Sequence, residues 1–152
     1  MTTPLAVRTD DQGVGPRRSA TPDLAGDRLG RGWAFPVAPD AAGGLPVING
    51  AALVRQSIQL ILATEPGERA MRPDFGCGLR RFLMAPNNPT THAAIAEAVT
   101  AALNTWEDRI TLTSVEVADD ADPAVAVVTI SYLHRRDGSQ AGVQLGVTLG
   151  GP

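Results

Sequence analysis

The chain has 152 residues, 43% of them hydrophobic, and a formal charge of −3. That length accommodates one globular core of the usual size, about 100–150 residues, with no need for a disulfide framework, and the single cysteine, Cys77, has no partner in the chain to make one. All thirteen basic residues are arginine, and a net-acidic chain without a basic run argues against nucleic acid as a principal partner; no apolar stretch approaches the roughly twenty residues that insert in a membrane.

Residues 1–31 are rich in Pro, Gly, Asp and Arg, with five arginines against four aspartates and no apolar run at helical or strand spacing. A flexible N-terminal tail is expected there, either a plain disordered extension or a segment that orders on a partner, and residues 32–152 are expected to form the folded domain. The opening MTTPLAVRTDD has neither the basic start nor the apolar core of a signal peptide, so cytoplasmic synthesis and assembly are expected.

Next, GWAFPVAPDAAGG sets Trp33 and Phe35 among prolines and glycines, and an extended segment laid across the domain would bury both rings. In NGAALVRQSIQLILAT, Val54, Ile58, Ile61 and Leu62 fall on one helical face, with Asn49 as N-cap and Pro66-Gly67 as the stop. The following TEPGERAMRPDFGCGL concentrates arginines, acids and glycines and is expected to be a turn or short hairpin between helices. A second helix is expected over 91–105, where Ile95, Val99, Ala102, Leu103 and Trp106 share a face and Thr90 or Thr91 caps the start.

Beyond the second helix the period changes to two. Strands are expected over 110–118, 124–133 and 143–149, the last alternating Val143, Leu145, Val147 and Leu149 with Gln144, Gly146 and Thr148. Asp137-Gly138 supplies the positive φ of the hairpin turn between the final two. The expected fold is α+β, with two helices packed on one face of a small, mostly antiparallel three-stranded sheet whose edge strand can dock another chain.

Catalytic and metal chemistry find little support in these residues. Cys77 has arginines nearby, but the two histidines, His92 and His134, are not at the spacing of a Cys–His nucleophile or a zinc site. Lysine is absent, so there is no P-loop. Asp119, Asp120 and Asp122 lack the pattern of a calcium loop and suit a solvated turn. Glu65, Glu68, Asp74, Glu97, Glu107 and Asp108 are carboxylates enough for a glycosidase in number only, and pairing of Glu68 with Arg69 and of Glu107 with Arg109 accounts for four of the charges. No cofactor, metal or catalytic residue is assigned.

A helix of the type QSIQLILAT, then PGERAMRPDFGCGLRRFLM, then a second helix closed by WEDRI and followed by strands, resembles the baseplate wedge or sheath-initiator family of contractile tails. That family includes the small phage baseplate protein once labelled a lysozyme and its relatives in type VI secretion and phage-tail-like injection particles. The resemblance spans about Arg31 to Leu149, and Thr64, Gly67, Glu68, Arg69, Arg72, Pro73, Asp74, Phe75 and Gly76 stand in family-like order. The family's second motif is commonly Glu-Pro-Arg; here it is Glu107-Asp108-Arg109, without the proline.

The resemblance implies a non-enzymatic baseplate subunit with a sheet similar to the connecting domain of sheath subunits, present in six copies and contacting sheath, wedge and tube or hub proteins. Glu107, Asp108 and Arg109 would face the wedge. Glu68, Arg69, Arg72, Asp74 and Phe75 would form a partner-binding or structural loop, and the strand bearing Val143, Leu145, Val147 and Leu149 would offer its edge to the sheath. A lysozyme-type peptidoglycan hydrolase and a free-standing dimerising adaptor are the competing readings.

Overall fold

A computed structural model describes residues 29–150. The expectation of a flexible tail therefore lies, through residue 28, outside the described residues. In chain order the elements are β1 (Arg31–Trp33), β2 (Val47–Asn49), α1 (Gly50–Ala63), a 3₁₀ turn (Leu79–Phe82), α2 (Pro89–Trp106), β3 (Ile110–Asp119), β4 (Val125–His134) and β5 (Gln140–Thr148). They fall into two compact units that divide within α1, after Gln59.

In the smaller unit, β1 and β2 form a two-stranded antiparallel ladder with Gly32 opposite Ile48. This hairpin corrects the expectation of a strap that buries its aromatics: Trp33 and Phe35 are 64% and 62% exposed. The reason lies in the backbone. Gln56 donates from Nε2 to the Trp33 carbonyl, and its Oε1 accepts from the Phe35 amide, so α1 holds the main chain of this stretch while both rings point outward. Leu53, from the same helix, packs so tightly on Gly32 that a Cβ there would lie 2.8 Å from Cδ1. Asn49 precedes the helix as the last residue of β2.

The larger unit is built on the antiparallel sheet β3-β4-β5. Alternation places Ala126, Val128, Ile130, Tyr132 and His134 of β4 in the core, and Val143, Leu145 and Val147 of β5 join them. Leu149 is buried one residue beyond the end of β5. Strand β3 does not keep strict alternation. A bulge between Leu112 and Ser114 inserts Thr113, which brings Ile110 and Leu112 opposite His134 and Tyr132, and then Val115 and Val117 opposite Ile130 and Val128. Apolar residues at even positions before the bulge and odd positions after it thus serve one face. Asp137-Gly138 makes the β4–β5 turn as expected, with φ of 69° at Gly138 and Asp137 Oδ1 accepting from the Ser139 amide and hydroxyl.

α2 starts earlier than expected because Asn88, and not a threonine, caps it: Asn88 Oδ1 accepts from the Thr91 amide at 2.8 Å, and Pro89 occupies the first turn. The helix buries Ile95, Val99, Ala102 and Leu103 and packs beside β3. It runs antiparallel to that strand. His92 in the first turn lies 3.6 Å from Asp119 at the far end of β3, and Asn87 donates to the Pro123 carbonyl. No helix among the described residues is long and apolar enough to cross a membrane.

Candidate interaction site

The stretch 64–78 is a closed loop stitched by its own backbone. The Cys77 amide donates to the Thr64 carbonyl at 3.1 Å and the Gly67 amide to the Pro73 carbonyl at 2.7 Å, with smaller turns over 65–68, 69–72 and 72–75. Gly76 makes the closure sterically feasible: its φ is +124°, and a Cβ would sit 2.2 Å from the Thr64 carbonyl oxygen. Of the expected turn or short hairpin, the structure forms the former, as a run of turns that ends in the 3₁₀ segment.

Within the loop the charges pair differently from the expectation. Glu68 takes Arg80 at 3.0 Å rather than the adjacent Arg69, and its other oxygen accepts from the Glu65 amide. Glu65 in turn accepts from the Arg80 amide. The fold brings position 80 back beside 65–68, and neighbours in sequence do not face each other there.

Arg69, released from Glu68, lies over the Phe75 ring at 4.3 Å. Phe75 meets Trp106 at 5.3 Å between centroids and 55° between planes, and the Arg72 guanidinium sits 6.0 Å from the Trp106 centroid. A tilted aromatic pair contributes about 1 kcal/mol and an exposed cation–π contact about 0.5–1 kcal/mol. The last residue of α2 is thereby joined to the loop. Asp74 is exposed.

One residue beyond Trp106, Glu107 ends α2, its amide donating to the Leu103 carbonyl. Its side chain is 2% exposed, and Arg109 grips it with both arms of the fork: Nε donates to Oε1 at 2.6 Å and Nη2 to Oε2 at 2.5 Å. The Arg109 amide also donates to Oε1 at 3.2 Å, and the Arg109 carbonyl accepts from the Arg135 amide, so the turn is held from both sides. The guanidinium pKa is raised, first by its hydrogen bonds to Glu107, with smaller electrostatic contributions from Glu107 and Asp108. Asp108 adds a negative charge beside Arg109. Of this motif the surface presents Asp108 and part of Arg109, 31% exposed, while Glu107 is the internal brace.

Cys77 is buried, and burial pushes its thiol up to about 11; the nearby Arg81 charge lowers it by less, and the Glu65 carboxylate adds a smaller upward push. It is a packed neutral thiol at neutral pH, not a nucleophile. Because the folded thiol holds its proton above the ordinary thiol range, its contribution to stability is complete below about pH 9 and is lost as pH rises towards about 11. Wild type should lose about 2 kcal/mol more than Cys77→Ala across that window in urea titrations, the difference removing tyrosine ionisation common to both. Parallel pH profiles for the two proteins would refute this.

His134 is 1% exposed, stands edge-on to Tyr132 at 5.4 Å, and has no hydrogen-bond partner for either ring nitrogen among the described residues. Asp120 and Asp122 cap backbone amides of their own turn, and among the described residues no group of three His, Cys, Asp or Glu side chains is gathered as for a metal.

These motifs can be set beside known proteins. The family model described as baseplate wedge protein gp25 matches residues 49–139, from the start of α1 through the β4–β5 turn. The chain belongs to that family. It is 34% identical over 95 residues to baseplate protein W of Escherichia phage P2, a match covering 62% of this chain and 82% of the phage protein. Among solved structures, it is similar to a Geobacter sulfurreducens protein named for a tail lysozyme, with 35% identity and a TM-score of 0.60 over 64% of this chain and 89% of the other. A chain of the anti-feeding prophage baseplate shares the fold, with a TM-score of 0.63 at 24% identity over 86% and 93% of the two chains. The gp25 match contains the 64–78 loop, the aromatic pair and the Glu107–Arg109 brace, all three elements of the site.

Proposed function

We propose that this chain is a structural, non-enzymatic baseplate subunit that joins the wedge to the first sheath ring and starts sheath assembly by strand addition at the outer edge of β5. One observation carries the reading: in the order β3-β4-β5, the last strand has no neighbour on its outer side among the described residues. The His134 amide donates to Ser139 and the Leu149 amide to Ala124, so odd-numbered residues exchange bonds with β4. Gly142, Gln144, Gly146 and Thr148 consequently direct their N–H and C=O groups away from the sheet. Four residues at period two are a template for an added strand, with main-chain bonds supplying affinity. Past the strand the edge is closed, because Gly150 forms a parallel bridge with Pro86.

The side chains of Val143, Leu145, Val147 and Leu149 are core, so the docking contribution of β5 is its backbone. By the same reading Asp108 and the exposed part of Arg109 face the wedge, and six copies contact sheath, wedge and tube or hub proteins in a sheath-connecting-type arrangement. A structural role suits the carboxylates too, since Glu68 is engaged by Arg80 and Glu107 by Arg109.

Deleting β5 would remove buried residues and collapse the unit; a single proline is the cleaner probe. Gln144→Pro removes one outward N–H and leaves the main-chain bonds to β4 in place, losing besides it only the exposed side-chain bond from Gln144 Nε2 to Thr129 Oγ1; it is a position where edge strands accept proline. Folded, incorporated Gln144→Pro subunits should yield baseplates with tubes but without attached sheath. Normally sheathed particles from this variant would overturn the assignment of the edge.

A further inference from the structure

We propose that Arg69 and Arg72, held over Phe75 and Trp106, form a docking face for an acidic segment of a partner protein within the baseplate, a short stretch carrying at least two Asp or Glu side chains. The proposal rests on the baseplate reading above and names the chemistry of one partner.

Both arginines are exposed, and among the described residues neither forms an ion pair, whereas Arg80 and Arg109 are committed to Glu68 and Glu107. What holds the first two is aromatic. Arg69 lies 4.3 Å from the Phe75 centroid, Phe75 lies 5.3 Å from Trp106, and Arg72 lies 6.0 Å from Trp106. The Arg69 guanidinium, laid on the Phe75 ring, leaves its planar fork for bidentate contact with a carboxylate, and Arg72, at the 6.0 Å reach of Trp106, sets a second exposed cation beside it. Met71, between the two arginines, has φ of +66° and is 99% exposed, which projects it from the same turn. A nucleic acid would also meet two cations and two rings, but the chain is net acidic at −3, and Asp74 and Asp108, each close in sequence to one of the rings, are exposed.

The experiment uses the full chain in its producing cells, with p-benzoylphenylalanine in place of Met71, irradiation of purified particles, and mass spectrometry of the cross-linked peptide. The expected product is a peptide of another baseplate protein with two or more carboxylates within about seven residues of the cross-link, a separation that one docking segment spans. Arg69→Glu/Arg72→Glu should lower the occupancy of the chain in particles about tenfold, and reversing the partner's carboxylates to arginine should restore it. Rescue of that kind separates docking from misfolding. Cross-linking to nucleic acid, to a second copy of this chain or to a segment without acids would overturn the proposal. Unchanged occupancy of the charge-reversed variant would overturn it alone, whereas absence of the wild-type chain from particles would overturn the baseplate reading and this proposal together.

Discussion

Gly76→Ala is expected to destabilise the protein by about 3–5 kcal/mol and lower its Tm by roughly 10–15 °C. Two costs coincide at this position. The backbone φ of +124° is one that an L-residue rarely adopts, and the new methyl would stand 2.2 Å from the Thr64 carbonyl oxygen and 2.8 Å from its carbon. Neither atom is the end of a flexible side chain; both belong to the backbone that Cys77 bonds in closing the loop. Gly67→Ala is the matched control, because its φ is +92° but nothing lies within 4 Å of the added Cβ. It should cost only the conformational strain, about 1 kcal/mol. Thermal melts of the two variants measure the difference, and equal losses would show that the steric closure at Thr64 is not what position 76 protects.

Removing the Arg109 fork should have the next largest effect. Arg109→Ala takes two charge-assisted hydrogen bonds from a carboxylate whose side chain is 2% exposed, and the expected loss is about 3 kcal/mol, at the lower end for a buried pair because the arginine is 31% exposed. Glu107→Leu/Arg109→Met, which removes both charges, should be the more stable protein of the two, since no buried carboxylate is then left with fewer donors. Urea denaturation of these variants decides the point; a double mutant less stable than Arg109→Ala would contradict the proposed brace. Asp108→Ala, at the exposed middle position, should change stability by less than about 0.5 kcal/mol, so any loss of wedge association in that variant reports on binding.

The two effects illustrate how far the site could be read from residues alone. The loop's arginines, acids and glycines were visible in order, and so was the Glu107–Arg109 pair, because a motif two residues apart carries its own geometry. Glu68 was a different case. Its adjacent arginine looked like its partner, yet the chain folds Arg80 back to it from twelve residues away, and that return depends on turns closed by Gly76 and Pro73. The aromatic pair was equally out of reach, since Phe75 and Trp106 are thirty-one positions apart and nothing local relates them.

Periodicity determined the elements whose signal is local. The buried face of α2, the alternation of β4 and β5 and the Asp137-Gly138 turn all follow from side-chain spacing and from which residues tolerate positive φ, and the α+β class follows from their order. Only the tertiary structure decided the rest. The bulge at Thr113 keeps both halves of β3 on one face, which a single period cannot express. Trp33 and Phe35 are exposed because Gln56 secures their backbone, not their rings. Glu107, between the end of α2 and the start of β3, is buried with Arg109 supplying its donors. Burial and ion-pair choice depend on distances between segments remote in sequence, and those distances exist only once the chain has folded.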